Sequence, residues 1–385
     1  MKRIKIFLIA GEPSGDRLGA ALMKSLQETY KGKVIFCGIG GHMMTKEGLS
    51  SIFAMQQISL MGFFEIIPHI FRILKLIKFT KEEIVKFQPD VVITIDSPGF
   101  CFRVVKQIDR GLTKIVHYVA PSVWAYKPER AAYMKKYYDL VLALLPFEPP
   151  YFTKLGLPCE FVGHPIIEGH WLKIDSSTFK KKYNIPIGSL VFGIMCGSRK
   201  GEINCMLPVF IDTINKLKCS TYLQNHDVIW VFPTVSLELA EQIRLAISIL
   251  DIKHLILVNE PEKISMLKAM NCAIVKSGTS SLELALAKVP MIVVYKTSII
   301  TAWILRNFYK FNSYASIINV MAKKQIIPEF IQENCTSEKI LQGFIDTVSI
   351  SGQEQVRQCD VILRKLSPRG ASPSVRAAQA ILKLL

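Results

Sequence analysis

Short apolar runs recur along this chain, and helix-like stretches separate them. A strand that is apolar at every position is buried on both faces, as in a parallel sheet covered by helices. The runs form two series, one in each half of the chain. The sequence therefore predicts an α/β protein with two doubly wound parallel sheets, and its 385 residues exceed what one hydrophobic core usually supports.

The predicted elements divide the chain into two domains. The first series has strands at residues 4–10, 34–37, 91–95, 115–119, 140–145 and 161–162, with helices at 17–29 and 81–86. The second has strands at 190–195, 228–232, 255–258, 273–275 and 291–294, with helices at 237–250, 262–269 and 280–287. Residues 168–188 are mixed and polar, which predicts a linker. We expect domains over 1–170 and 185–350, with a C-terminal helix near 355–385 that packs back on the first.

The amino-acid composition indicates which binding partners and which cellular compartment to expect. The 48 Lys and Arg residues outnumber the 31 Asp and Glu residues, and the net charge of +17 favours anionic partners. Nine cysteines without a C-x-x-C pair argue against a disulfide framework and a zinc site, and they favour a reducing cytoplasm. The longest apolar stretch, residues 60–79, is interrupted by charged residues and a proline, so we expect no transmembrane segment.

Two apolar runs end in a glycine-containing loop before a helix, where backbone N–H groups and the helix dipole favour ligands. In the second loop, Gly197-Ser198-Arg199 adds a hydroxyl and a forked cation suited to phosphate oxygens. A tight turn with a solvated arginine explains the same residues. The first loop, residues 11–16, lacks the G-x-G-x-x-G spacing of dinucleotide sites. Its carboxylates, Glu12 and Asp16 on either side of Ser14, would repel a pyrophosphate and suit the hydroxyls of an acceptor.

Two further predicted strands end in polar residues. Residue 275 is followed by Lys276-Ser277-Gly278-Thr279, and Glu283 lies one helical turn further on. These amides and hydroxyls suit a diphosphate and the carboxylate suits a ribose, although an ordinary capped helix would have the same residues. Asp96 follows the strand that ends at residue 95. It is placed to act as general base on a sugar hydroxyl, or only to start an Asp-Ser-Pro turn.

Residues 61–79 combine apolar and basic character. One helical face carries Ile66, Ile70, Ile73 or Leu74, and Ile77, whereas another carries Arg72, Lys75 and Lys78. Such a helix suits an anionic membrane surface, and the alternative is a helix that packs on the sheet with its lysines in water. Nucleic acid is not expected as a partner, because the sequence has no recognition helix, zinc finger or aromatic RNA-binding signature.

Seven motifs, in this order along the chain, resemble the lipid-A-disaccharide synthase family. They lie at residues 11–16, 60–65, 95–98, 117–125, 145–148, 197–199 and 277–279. The opening Gly-Glu-x-Ser-Gly-Asp and the Pro-Ser-Val-Trp-Ala segment after His117-Tyr118 are the specific ones. The resemblance implies the GT-B fold, in which two Rossmann-like doubly wound domains face each other across a cleft.

The resemblance also implies an inverting, metal-independent glycosyltransferase without a cofactor. Such an enzyme joins UDP-2,3-diacylglucosamine to 2,3-diacylglucosamine 1-phosphate (lipid X), and the products are the β-1,6-linked lipid A disaccharide 1-phosphate and UDP. It implies a peripheral position on the cytoplasmic face of the inner membrane of a Gram-negative bacterium. The first domain would bind the lipid acceptor and the second the UDP-sugar. A homodimer, a GT-B enzyme with another acceptor, a UDP-sugar epimerase and a non-catalytic lipid- or nucleotide-binding protein remain open.

By position, the resemblance implies that Asp96 is the catalytic base. It implies donor-side roles near UDP for Arg199, Glu283 and Asn319, beside Gly197, Ser198, Ser277, Gly278 and Thr279. It implies acyl-chain and membrane contacts for Met61, Phe63, Phe64, Ile66, Ile67, Phe71 and Leu74. Many relatives continue Asp-x-Pro with Asp-Phe-Asn, whereas this chain has Gly99-Phe100-Cys101. A second carboxylate is therefore missing there, so the predicted role of the base depends on Asp96.

Overall fold

A computed structural model of the chain describes residues 3–58, 70–109, 111, 113–124, 127–169, 171, 173–297, 314–366 and 370–385. The chain divides into two compact units, which are Met1–Glu168 with Leu366–Leu385, and Gly169–Lys365. Each unit is built on one parallel sheet that is joined by helical crossovers. This architecture confirms the predicted fold class of two doubly wound α/β domains.

The strands and helices alternate along most of the chain. The strands are β1 (Arg3–Ala10), β2 (Lys33–Ile39), β3 (Ser50–Ser51), β4 (Val91–Ile95), β5 (Lys114–Tyr118), β6 (Leu140–Ala143), β7 (Cys159–Phe161), β8 (Leu190–Met195), β9 (Val228–Thr234), β10 (Lys253–Val258), β11 (Cys272–Lys276), β12 (Met291–Tyr295) and β13 (Glu329–Ile331). The α-helices are α1 (Pro13–Thr29), α2 (His42–Lys46), α3 (Ile70–Phe87), α4 (Pro98–Val105), α5 (Glu129–Lys135), α6 (Pro149–Thr153), α7 (Ser177–Lys182), α8 (Lys200–Lys218), α9 (Leu237–Ile247), α10 (Lys263–Ala269), α11 (Ser280–Leu286), α12 (Ile317–Ala322), α13 (Ser337–Asp346), α14 (Gly352–Leu363) and α15 (Pro373–Leu384).

Strand order identifies the ligand-binding edge of each sheet. The first sheet runs β3-β2-β1-β4-β5-β6-β7, and the second runs β10-β9-β8-β11-β12-β13. The order therefore reverses between β1 and β4 in the first unit and between β8 and β11 in the second. Ligands of open α/β sheets bind at the carboxyl ends of the strands beside such a reversal. The loops after these four strands are thus the candidate sites.

The apolar runs follow from burial on both sides of the sheets. In β1, Ile6 and Leu8 pack into one cluster that includes Leu22 of α1. The alternate residues Phe7 and Ile9 pack into a second cluster, with residues of α3 and α4. Because successive side chains point to opposite faces of a strand, a sheet covered by helices on both faces requires an apolar residue at every position.

The end of the chain is divided between the two units. Gln355 of α14 bonds through its side chain to the backbone N and O of Met291, at 2.8 and 2.9 Å, which holds α14 on the second unit. Helix α15 packs on α1 in the first unit. There the backbone N of Ser374 donates to Glu168 Oε1 at 2.8 Å. The single helix expected near 355–385 is therefore two helices, and only the second lies in the first unit.

Four other elements differ from the expectations. The predicted linker contains α7, whose Phe179 is fully buried and whose backbone N bonds to Ser265 Oγ at 3.1 Å. Helix α3 joins part of the predicted amphipathic helix within 61–79 to the predicted helix 81–86, as one continuous helix over Ile70–Phe87. Strands β3 and β13 were not predicted, because two or three residues are too few to show a periodicity. Among the helices whose residues the structure describes, none has the length and hydropathy that a bilayer-spanning segment requires.

Candidate functional site

The loops after β1 and β4 touch at the strand-order reversal of the first unit. A Cβ atom added to Gly11 would lie 2.5 Å from Ser97 Oγ and 3.0 Å from Ser97 Cβ. The two strands pair as far as Ala10 opposite Ile95. Asp96 follows directly and is half-buried. The sequence predicted Asp96 at the carboxyl end of a strand, and the structure shows it there, beside the loop that leads into α1; this helix begins at Pro13, four residues earlier than predicted.

The backbone at this edge adopts conformations that are rare outside glycine. Asp96 and Ser97 have φ values of 51° and 45°, and Val119, after the neighbouring β5, has a φ of 78°. Hydrogen bonds hold these residues in place: the N–H of Asp96 donates to Tyr118 O at 3.0 Å, and that of Val119 donates to Leu142 O at 3.1 Å. Left-handed non-glycine residues cost roughly 1–3 kcal/mol each and cluster at functional sites.

The close approach of Gly11 to Ser97 gives a paired mutational test. We expect Gly11→Ala to destabilise the first unit by roughly 1–3 kcal/mol, because the new methyl overlaps Ser97. Ser97→Gly removes both overlapping atoms and suits the left-handed backbone, so the double variant should recover most of this loss. Urea unfolding of the four proteins would measure the coupling. Additive effects of the two substitutions would contradict this account.

Gly15→Ala is the matched control. An added Cβ at Gly15 would meet the Ala10 Cβ at 3.4 Å, which is ordinary van der Waals contact. Gly15 also lies within α1, where alanine is favoured over glycine by roughly 1 kcal/mol. The same substitution four residues along the chain should therefore be neutral or stabilising.

The structure gives Asp16 a different role from the expected one. Its carboxylate is nearly inaccessible and accepts three backbone N–H groups at the start of α2: Oδ1 from Gly41 and Met44 at 2.8 and 3.0 Å, and Oδ2 from Met43 at 3.0 Å. This is a capping arrangement. The expectation that Asp16 bonds acceptor hydroxyls is therefore corrected, whereas Glu12 is half-buried directly before α1 and Ser14 is exposed in the first turn of α1.

Glu148 is a buried carboxyl group for which the motif at residues 145–148 predicted no role of its own. It follows β6, its side chain is buried, and its Oε2 accepts the backbone N–H of Leu145 at 3.0 Å. Burial raises the pKa of Glu148 to about 7. The neighbouring Phe147 packs edge-on against Trp124, with ring centroids 5.4 Å apart. A glutamate within an apolar segment directly after a buried strand was the available signal.

The raised pKa makes stability depend on pH. Since the folded pKa of about 7 lies above the ordinary glutamate pKa of 4.5, the folded state binds the Glu148 proton more tightly than the unfolded state. Its contribution to stability is complete below pH 4.5 and is lost as the pH rises through 7. Replacing Glu148 with glutamine should therefore stabilise the protein by roughly 2 kcal/mol more at pH 8 than at pH 5.

Urea midpoints of the wild type and Glu148→Gln at the two pH values would measure this difference. His117 and His164 titrate in the opposite sense, because burial lowers their pKa values to about 3 and about 4. They are present in both proteins, so their effects cancel in the comparison. A pH-independent difference between the two proteins would contradict the burial account.

In the second unit, the loop after β8 has the geometry of an anion site. Gly197 has a φ of 113°, which favours glycine, and a Cβ there would lie 2.9 Å from Glu202 Oε2. Ser198 and Arg199 are exposed, and α8 begins directly after them. Arg199 Nη1 lies 3.2 Å from Glu202 Oε1. The loop thus presents a hydroxyl, a guanidinium group and the amino end of a long helix at the strand-order reversal.

The loop after β11 lies beside it. Val275 pairs with Met195 of β8, and Lys276 Nζ lies 2.7 Å from Glu202 Oε1. Ser277 Oγ donates to Ala315 O at 2.8 Å, whereas Gly278 and Thr279 are exposed. The side chain of Thr279 makes no capping hydrogen bond to α11, which weakens the interpretation of this motif as an ordinary capped helix.

Two of the predicted donor-side residues make hydrogen bonds within the protein. Glu283 Oε1 accepts from Lys263 Nζ at 2.6 Å, one turn into α11. Asn319 is fully buried. Its Nδ2 donates to Ile327 O and Glu329 Oε1, both at 2.7 Å, and its Oδ1 accepts the N–H groups of Ile326 and Ile327 at 2.8 and 2.9 Å. Both donors and both lone pairs of the amide are used within the protein, and the predicted role of Asn319 near UDP stays a prediction.

The predicted membrane residues are only partly within the described ranges. Met61, Phe63, Phe64, Ile66 and Ile67 lie outside them. Phe71 and Leu74 lie near the start of α3 with 80% and 51% exposure, whereas Ile77 of the same helix is buried. Residues 70–81 include four Lys or Arg side chains and no acidic one. Within the described ranges, no group of three or more His, Cys, Asp or Glu side chains is arranged to hold a metal ion.

Comparison with known proteins matches almost the whole chain. A family model described as lipid-A-disaccharide synthetase matches residues 6–382. The lipid-A-disaccharide synthase of Rhodospirillum centenum is 37% identical, covering 100% of this chain and 96% of the relative. That of Rickettsia felis is 41% identical over 98% of this chain and 95% of the relative. Among solved structures, UDP-GlcNAc 2-epimerase from Neisseria meningitidis bound to UDP-GlcNAc is 14% identical, with a TM-score of 0.62, covering 100% of this chain and 99% of that chain.

Proposed function

This chain belongs to the lipid-A-disaccharide synthase family of lipid A glycosyltransferases, and from that premise we propose that it joins UDP-2,3-diacylglucosamine to lipid X. The products are the β-1,6-linked disaccharide 1-phosphate and UDP. The observation that carries the proposal is the family match over residues 6–382. The charges at the two sheet edges support it, with carboxylates on the first unit and cations on the second.

The second unit is proposed to bind the UDP-sugar. The Gly197 loop supplies backbone N–H groups and the Arg199 guanidinium for the diphosphate, as expected of a site for a leaving group that gains negative charge. The exposed Gly278 and Thr279 face solvent at the neighbouring strand end, where Ser198 and Ser277 add hydroxyl groups. Glu283 is proposed to bind the ribose hydroxyls while its Oε1 accepts from Lys263 Nζ.

The first unit is proposed to bind the acceptor and to supply the base. The Asp96 carboxylate removes the proton of the acceptor 6-hydroxyl, and the resulting oxygen attacks the anomeric carbon of the donor. The bond from that carbon to the UDP oxygen breaks, and the electron pair leaves with UDP. Attack opposite the leaving group inverts the anomeric centre. Glu12 and Ser14 are proposed to hold acceptor hydroxyls, and no metal or cofactor enters these steps.

One assay tests the proposal. Incubation with UDP-diacylglucosamine and lipid X should yield the disaccharide and UDP in equal amounts, and omission of lipid X should abolish both. The second candidate is a UDP-sugar epimerase, favoured by the similar solved structure of such an enzyme. It would convert UDP-GlcNAc without any acceptor. UDP binding without UDP release would instead indicate a non-catalytic binding protein.

The enzyme is proposed to lie on the cytoplasmic face of the inner membrane, with the start of α3 against anionic lipid. Replacing both Phe71 and Leu74 with serine should weaken binding to phosphatidylglycerol vesicles at least tenfold, since burial of one large apolar side chain contributes roughly 1.5–3 kcal/mol. Vesicle sedimentation measures the partition coefficient. Val85→Ser is the matched control, because Val85 is also exposed but lies in the half of α3 that contains acidic residues. Equal partitioning of both variants would overturn the proposal for α3.

A further inference from the structure

Glu202, in the first turn of α8, lies between two cations. Its Oε1 is 2.7 Å from Lys276 Nζ and 3.2 Å from Arg199 Nη1. The Lys276 side chain is only 16% exposed, whereas that of Arg199 is 57% exposed. One carboxylate oxygen is thus shared by two positive groups, and the three residues together have a net charge of +1 at neutral pH.

The Lys276 side chain lies against Gly197, in the loop that follows β8. A Cβ on Gly197 would be 3.5 Å from Lys276 Cδ and 2.9 Å from Glu202 Oε2. The ammonium group also lies 5.3 Å from the ring centroid of Tyr295, at the end of β12. The absence of a side chain at Gly197 therefore leaves the space in which the lysine and the carboxylate meet.

We propose that Lys276 is a second diphosphate-binding cation and that Glu202 holds Lys276 and Arg199 until the nucleotide arrives. This inference rests on the proposed function, because it takes UDP as the ligand of this loop. Carboxylate and phosphate oxygens accept the same charge-assisted hydrogen bonds. A diphosphate has more charge and more oxygens than one carboxylate, so it can take both cations from Glu202.

A purely structural role for Lys276 predicts different binding data. If Lys276 only fixes Glu202 and the loop, its removal should weaken every ligand of the site alike. If it binds the diphosphate, its removal should weaken UDP and leave uridine, which has no phosphate, unchanged. The comparison of the two ligands therefore separates the roles.

The experiment is calorimetric titration of the full chain with UDP and with uridine. Lys276→Met should weaken UDP binding about tenfold or more, the usual loss for one charge-assisted hydrogen bond, and should leave uridine binding unchanged. Lys276→Arg should restore UDP binding. Glu202→Gln should strengthen UDP binding, because the competing carboxylate charge is gone. Lys253→Met is the matched control, since Lys253 also pairs with a carboxylate, Asp227, but at the amino end of β10.

The outcomes separate this inference from the proposed function. Unchanged UDP binding by Lys276→Met, or an equal loss for UDP and uridine, would overturn the role of Lys276 even if the wild type makes the disaccharide. A weakened UDP affinity in Glu202→Gln would overturn the role of Glu202 as a competitor. A wild type that does not bind UDP would overturn the donor assignment, and this inference with it.

Discussion

Replacing Asp96 with asparagine should lower the turnover number of the disaccharide-forming reaction by roughly 10²–10⁴-fold, the usual contribution of a general base. Binding of UDP and of lipid X should be unchanged, because asparagine keeps the size and the hydrogen-bonding reach of the side chain. Asparagine also suits the backbone conformation at position 96. Asp96 has a φ of 51°, and asparagine tolerates this left-handed conformation better than alanine does.

Steady-state kinetics with both lipid substrates would measure the effect. Asp109→Asn is a suitable control, because Asp109 is exposed and follows the opposite end of α4. Full activity of Asp96→Asn would remove Asp96 from the mechanism. An equal loss in both variants would attribute the effect to charge rather than to proton transfer.

The second large effect is expected at Asn319. Replacing it with alanine should destabilise the second unit by roughly 3 kcal/mol or more, because the backbone N–H groups of Ile326 and Ile327 and the carboxylate of Glu329 would each lose a partner. Glu329 also accepts the N–H groups of Ala315 and Ser316, at 2.7 and 2.9 Å. The loss should therefore spread to the segment that receives the hydroxyl of Ser277.

Urea unfolding and UDP titration together distinguish this role from direct donor binding. A positioning residue should lose stability and UDP affinity together, whereas a donor contact should lose affinity alone. Asn334→Ala is the control, because Asn334 is exposed and its replacement should change stability by less than roughly 0.5 kcal/mol. Unaltered stability of Asn319→Ala would contradict the contacts described for its amide.

The strands that were predicted correctly are those with a local, uninterrupted run of apolar residues. The strands β4 and β8 have the predicted bounds, because both are buried along nearly their whole length and therefore leave continuous apolar runs. Asp96, directly after β4, and Gly197–Arg199, one residue beyond β8, could be placed at the carboxyl edges of the sheets for the same reason. The end of β5 was predicted one residue too late, since Val119 is apolar but leaves the strand conformation.

The remaining site residues depend on partners that are distant or hidden in the sequence. Nothing near Asp16 indicates that its carboxylate caps α2, about 25 residues further along the chain. The amide of Asn319 is saturated by a return of the chain at Ile326 and Ile327, which no periodicity predicts. The pairing of Lys276 with Glu202 joins residues 74 positions apart. Such contacts arise from tertiary packing and can be found only in the folded structure.

The chain returns to the first unit at Leu366. This return determines the order in which the two units can complete folding during synthesis. Residues 366–385 emerge from the ribosome after all of the second unit, yet Ala377 and Ile381 are buried in the core that also contains Leu22 of α1. The first unit is therefore translated first and finished last. Until α15 docks, the face of α1 that it covers remains open to water, so the nascent first unit must wait for the second or be protected in the meantime.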